Sequence, residues 1–225
     1  MEVKLKKIRL SNPLLSHFET DFESIPFDKI PKDIKNAFLA AEDDNFFNHQ
    51  GISYTGLIRS FIRCLQSSGC QGGGGTITMQ VVRGYLLTRE QTVIRKIKEI
   101  YLALELESNI GKQEIFELYV NKIFLGNRSY GIEAAANTYF DKGLADLDVS
   151  ESATIAALAQ LPSKVNPVKN PRRTELRRNW ILSRMLLLGY INQDEYENAI
   201  SQEIKIAKNI NLYAVDAQHL AELVR

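Results

Sequence analysis

Residues 31–49 read PKDIKNAFLAAEDDNFFNH, and the portion up to Glu42 decides the kind of fold. Pro31 suits a first helical turn, and Ile34, Ala37, Phe38 and Ala41 follow at the i, i+3, i+4, i+7 spacing of one buried helix face. The spacing predicts a helix that ends at Glu42, beside Asp43 and Asp44. The same period returns along most of the chain.

On the N-terminal side, residues 1–29 are irregular, with weak strand-like alternation around Val3 to Leu10. Beyond the acids, Leu57, Ile58, Phe61, Ile62 and Leu65 form an apolar stripe with Arg59 and Arg63 off it, suited to a core or to a lipid surface. Residues 67–75 (SSGCQGGGG) hold five glycines and two serines and form no regular element. A helix restarts near Thr76. Residues 88–91 carry a capping-box pattern before a long periodic run through Ile94, Ile97, Tyr101, Leu104 and Glu105, closed by Gly111. Further helices are predicted at 112–123, 132–140, 150–160, 171–188 and 193–201, punctuated by Gly143, Leu161-Pro162, Asn170-Pro171 and Gly189, and a short one at 215–225. The fold class is all-α.

A chain of 225 residues, 44% hydrophobic, buries one sizeable core or two lobes around a cleft. With 28 basic against 27 acidic side chains the net charge is +1, which gives no argument for a nucleic-acid partner. An anionic ligand needs a local patch. Cys64 and Cys70 have no second pair or nearby histidine to make a metal pattern, and both read as incidental, although an oxidising compartment permits a disulfide. No apolar run reaches the roughly 18 residues of a membrane span, and Met1-Glu2-Val3-Lys4 lacks a signal-peptide core. The expectation is a chain that is soluble or lies on a membrane surface, with any export signal or anchor outside this sequence.

Three stretches can carry chemistry. Residues 42–49 pack three acids, two aromatics and a histidine around a helix end. Adjacent acids and apolar neighbours favour the neutral carboxyl and so tune it for proton transfer; a solvated acidic helix end is the alternative. Glycosyl chemistry typically uses two carboxylates, and Glu99 is the second candidate because Arg95 shares its helix face; an ordinary i, i+4 ion pair is the alternative. The glycine run leads into Thr76-Ile77-Thr78-Met79-Gln80 and Arg83, a helix start suited to phosphate or pyrophosphate, with a mobile loop as the alternative. It lacks the Gly-Lys-Ser/Thr ending of a nucleotide P-loop.

In this order the segments resemble the family 51 glycosyltransferases, the domain of class A penicillin-binding proteins and of monofunctional peptidoglycan polymerases. The family's Glu-Asp-x-x-Phe-x-x-His-x-Gly is matched by Glu42, Asp43, Phe46, His49 and Gly51. Its Gly-Gly-Ser-Thr-Ile-Thr-x-Gln is matched at Gly73, Gly74, Thr76, Ile77, Thr78 and Gln80, and its Arg-Lys-x-x-Glu is Arg95, Lys96 and Glu99. Residues 117–126 (ELYVNKIFLG), 130–136 (YGIEAAA), 157–163 (ALAQLPS) and 177–179 (RRN) extend the likeness over about residues 30–200.

The resemblance implies a lysozyme-like fold, a large lobe and a smaller membrane-associated jaw at about 52–75 around a cleft. The glycosyltransferase domain covers 30–205, and 206–225 begins a linker. It implies that Glu42 is the general base on the 4-hydroxyl of incoming lipid II, and that Glu99 assists at the pyrophosphate side while undecaprenyl pyrophosphate leaves with inversion. Asp43, Phe46, His49, Thr76, Gln80, Arg83, Arg95, Lys96 and Asn121 carry over as substrate-binding residues. Mg²⁺ or Mn²⁺ is the implied cofactor, although no dedicated cage is visible. The implied partners are lipid II, the growing glycan strand and the membrane surface at the periplasmic face of an inner membrane. The tail after Leu212 points to a parent with a transpeptidase domain. Moenomycin is the implied inhibitor.

The chain departs from the family at Gly75, usually Ser, and at Gly84, commonly Asn, and Arg83 replaces a frequent Lys. Two other functions fit less well: a lysozyme-like hydrolase or lytic transglycosylase, which the ordered motifs oppose, and an inactive lipid II-binding module, which the retention of Glu42 and Glu99 opposes.

Overall fold

The computed structural model describes residues 24–53, 75–87 and 93–207. Residues 1–23, the apolar stripe at 57–65, most of the glycine run, both cysteines, the capping box at 88–91 and the tail from 208 lie outside the described residues. Eight described helices follow one another: α1 (Lys32–Glu42), α2 (Ile77–Leu86), α3 (Val93–Asn109), α4 (Lys112–Lys122), α5 (Ile132–Phe140), α6 (Val149–Leu158), α7 (Pro171–Leu187) and α8 (Gln193–Ser201). Short 3-10 turns lie at Phe27–Lys29 and Leu144–Asp146. The β contact among the described residues is one isolated antiparallel bridge, Phe124 with Tyr130, so the all-α expectation holds.

Local chemistry explains where the helices begin and end. Thr76 caps α2, its hydroxyl accepting from the Met79 N–H. Asp148 and Asn192 cap α6 and α8 through reciprocal boxes with Glu151 and Glu195. The Asp148 box moves the start of α6 to Val149, one residue before the expected Ser150. Pro171 opens α7, and Gly189, at φ +69°, follows its end.

The chain divides into two compact units. The first comprises Met1–Ile30 and Phe38–Ile123; in its described part α2 packs on both α3 and α4, and α4 on the turn at Phe27–Lys29. Its core includes Phe38, Phe46, Ile77, Val82, Leu106, Ile115 and Phe116. The second comprises Pro31–Ala37 and Phe124–Arg225, where α7 packs on α6 and α8. Helix α6 is buried along eight of its ten residues and is the central element of this unit. Arg178, buried on α7, donates to Ser150 Oγ at 3.1 Å, Ile200 O at 3.3 Å and Gln202 O at 2.7 Å, pinning the chain after α8.

The periodic run that marks helix α3 in the sequence is not its buried face: Ile94, Ile97 and Tyr101 are 67, 63 and 65% exposed. The buried line is instead Glu99, Ala103, Leu106 and then Ile110. Gly51 explains the choice. It sits at φ +72° against the helix backbone, so closely that an added Cβ would lie 2.9 Å from Ala103 O. Small Ala103 keeps that approach open, and Arg95 and Lys96 compensate the charge of Glu99 on the same face.

Candidate active site

Every described residue carried over as a candidate lies in the first unit. Glu42 ends α1, half-buried, and its Oε2 accepts from Gln80 Nε2 of α2 at 2.8 Å. Gln80 stands one turn inside α2, so the cap at Thr76 sets where its amide meets the carboxylate. Thr76 is locked in turn, its hydroxyl donating to Gly51 O at 2.6 Å. The loop after α1 and the start of α2 are thereby one hydrogen-bonded assembly.

Asp43 completes that assembly. Its Oδ2 accepts the Ile77 N–H at 3.1 Å, placing a carboxylate at the positive end of α2. His49 Nε2 lies 3.0 and 2.9 Å from the two Asp43 oxygens. A carboxylate only accepts, so Nε2 carries the proton and Nδ1 accepts from Lys112 Nζ at 3.4 Å. Lys112 also donates to Glu107 Oε1 at 2.7 Å and stands 4.4 Å over the Phe46 ring. Glu107 accepts from the Thr78 hydroxyl. The chain Asp43–His49–Lys112–Glu107–Thr78 thus ties together α1, α4, α3 and α2.

Five carried-over contacts change character here. Asp43 and His49 are spent on each other, and Phe46 is fully buried among Phe47, His49 and Phe116. Thr76 is spent on its cap and on Gly51. Asn121 accepts the Ile25 N–H at 2.9 Å and donates to Ile25 O at 3.0 Å and Glu117 O at 2.8 Å. These internal bonds fix the position of each side chain within the first unit. At the start of α2, read from the sequence as a phosphate setting, Asp43 and Thr76 accept from the Ile77 and Met79 N–H groups.

Glu99 is fully buried on α3. Arg95 Nε lies 3.2 Å from its Oε1, an ion pair without hydrogen-bond alignment, and Lys96 Nζ donates to its Oε2 at 2.9 Å. Lys96 reaches the start of α2, where a Cβ added at Gly75 would stand 3.8 Å from Nζ. That is ordinary contact, so the space does not demand the glycine. Gly84 has nothing within 4 Å of such a Cβ. Glu42 is therefore bonded to helix α2 through Gln80, whereas Glu99 is held by Lys96, whose Nζ lies near Gly75 just before that helix. Arg83, exposed on the same helix, acts with Glu42 and Asp43 on the buried Tyr119 hydroxyl, whose pKa burial pushes well above the usual range.

The donor set does not fit a protein-built divalent-cation site. Among the described residues no three His, Cys, Asp or Glu side chains converge, Asp43 is held by His49, and Glu99 sits between two cations. Residues missed at the sequence level are Glu107, Lys112 and Tyr119. Tyr119 belongs to the stretch 117–126 (ELYVNKIFLG), and Glu107 and Lys112 carry no local signal in the sequence.

Comparison with known proteins follows the same residues. The family model described as Transglycosylase matches residues 11–186. Penicillin-binding protein 1A of Pseudomonas aeruginosa is 46% identical over 100% of this chain and 28% of its own length. The Escherichia coli penicillin-binding protein 1A is 41% identical over 89% of this chain and 24% of its own length. The chain thus spans about a quarter of these relatives. A Cupriavidus necator protein that carries the transglycosylase name is 42% identical, over 85% of this chain and 83% of its length. The crystal structure of penicillin-binding protein 1A from Haemophilus influenzae superposes with a TM-score of 0.52 and 30% identity, covering 90% of this chain and 20% of that one.

Proposed function

The chain belongs to the transglycosylase family, and on that premise we propose that it is a peptidoglycan glycosyltransferase that polymerises lipid II into glycan strands. The 4-hydroxyl oxygen of the acceptor sugar attacks the anomeric carbon of the growing strand, the bond to the pyrophosphate oxygen breaks with inversion, and undecaprenyl pyrophosphate leaves. The hydroxyl proton passes to Glu42. The observation that carries this reading is the half-buried Glu42 carboxylate, oriented by the Gln80 amide beside the start of α2. General-base assistance of this kind contributes typically 10²–10⁴-fold.

Glu99 acts on the other side. Fully buried, it holds the heads of Arg95 and Lys96, the latter near the start of α2, and these two cations offset the charge gathered by the departing pyrophosphate. Arg83 adds a third, exposed cation on α2. Among the described residues no donor set builds a cation cage.

The substrate fixes the setting: a polyprenyl-linked sugar is presented at a membrane surface, at the periplasmic face of an inner membrane. Among the described residues no helix is long and apolar enough to cross a membrane. The relatives named penicillin-binding protein 1A are about four times as long as the span they share with this chain, which supports a transpeptidase domain in the parent protein.

The test is polymerisation of purified lipid II with and without moenomycin. Expected are glycan polymer and released undecaprenyl pyrophosphate, blocked by moenomycin, and loss of polymer in Glu42→Gln with ligand binding retained. Solubilisation of finished sacculi without polymer, or equal turnover by wild type and Glu42→Gln, would overturn the assignment.

A further inference from the structure

Tyr119 is a buried polar group that the proposed mechanism leaves unused. It lies on α4, 4% exposed, and its hydroxyl has no hydrogen-bond partner among the described residues. A buried donor without an acceptor is costly, and phenylalanine would fill the same space without that cost. The hydroxyl needs a reason.

Its surroundings supply one. The Tyr119 ring meets Phe38 edge-on, with centroids 5.8 Å apart. Phe38 and Glu42 are four residues apart on α1 and share one face of it, so the ring packed on Phe38 lies on the face of α1 that carries Glu42. Burial comes first among the influences that keep the hydroxyl protonated, followed by the Glu42 charge; Arg83 opposes it and Asp43 adds to it. Three of the four charged side chains of α4 are engaged elsewhere: Glu117 accepts from Ser24 and Phe27, Lys122 stands over the Tyr85 ring at 3.6 Å, and Lys112 bonds Glu107. What remains is a permanent donor close to a carboxylate and held there by packing.

We propose that Tyr119 is a positioning residue for Glu42, its hydroxyl serving as the donor that stabilises the ionised carboxylate, directly after a short side-chain rotation or through one bridging water. Tyr119 keeps its own proton throughout. Its part is to hold Glu42 charged and aimed at the acceptor hydroxyl until the proton arrives. The inference rests on the reading of Glu42 as the base, but its physical content, a donor acting on one carboxylate, can be measured without turnover.

Tyr119→Phe removes the hydroxyl and keeps the ring on Phe38. The Glu42 carboxyl is titrated by carbon-13 NMR in wild type and variant, its resonance identified by its loss in Glu42→Gln, and kcat is followed against pH. Removing a donor to the charged form raises a carboxyl pKa. Expected are a Glu42 titration and an acid limb of kcat about one pH unit higher, kcat roughly ten-fold lower, and a thermal midpoint no lower than wild type. An unchanged Glu42 titration overturns the inference whatever the activity does. A shifted titration in a protein that makes no polymer leaves the inference standing and removes the proposed function instead.

Discussion

Gln80 Nε2 donates to Glu42 Oε2 at 2.8 Å across 38 residues of sequence, joining the end of α1 to the second turn of α2. A neutral amide aims the carboxylate without adding charge to it. Gln80→Ala is expected to lower kcat roughly ten-fold with a smaller effect on KM, the scale of one hydrogen bond to a charged group. Gln80→Glu sets a second carboxylate there and is expected to move the acid limb of the kcat profile to higher pH, because like charges disfavour ionisation. Polymerisation kinetics across pH 4 to 8, with wild-type behaviour in both variants as the contrary result, decide the point.

Glu99 is 1% exposed at its side chain, whereas Arg95 and Lys96 are 21 and 39% exposed. Glu99→Gln leaves two cations facing a neutral group, and their access to water limits the cost to about 1–2 kcal/mol, below that of a fully buried pair. The denaturation midpoint is expected to fall accordingly while activity drops roughly a hundred-fold. A variant that loses stability and keeps its activity would reduce Glu99 to a structural role.

Gly51 combines a left-handed backbone with a contact that no Cβ fits, since Ala103 O would stand 2.9 Å away. Gly51→Ala is expected to destabilise by at least about 2 kcal/mol and to displace the Thr76 cap that bonds to the Gly51 carbonyl. Chemical denaturation reads the first effect. Gly84→Ala, at a site with nothing within 4 Å, serves as the control and is expected to be neutral or slightly stabilising.

On α3, Ile97→Lys is expected to change stability by less than about 0.5 kcal/mol, because Ile97 is exposed. Leu106→Ala, on the buried line, is expected to cost about 2–5 kcal/mol. The reverse order in urea midpoints would restore the face that the hydrophobic period suggests.

Tyr139 is buried in the second unit, donates to Leu125 O at 2.9 Å, and has its pKa raised from 10.0 to about 12, chiefly by burial. A folded-state pKa above the unfolded one means that the native state holds its proton more firmly. Stability is therefore complete below pH 10 and falls as the pH climbs from 10 toward 12. Tyr139→Phe is expected to flatten that part of the profile while costing about 1 kcal/mol at neutral pH for the lost hydrogen bond. Thermal midpoints measured from pH 8 to 12 would show both.

Helix positions were legible in the sequence because they are local: 132–140 and 193–201 appear as expected, and Thr76 reads as a cap from its place after the glycines. Glu42 and Glu99 were legible only as residue types in ordered motifs. Their surroundings were not. Which face of α3 is buried depends on Gly51 meeting the Ala103 backbone, and no pattern within α3 contains that contact. Asp43, Phe46, His49 and Asn121 were carried over as ligand contacts from the family resemblance. Folding gives Asp43 to His49 and Ile77, and Asn121 to Ile25. Periodicity, capping and glycine placement act over a few residues, so the chain by itself settles them. Pairing between distant side chains depends on how the helices pack, and only the tertiary structure decides which polar groups are spent on one another and which remain for chemistry.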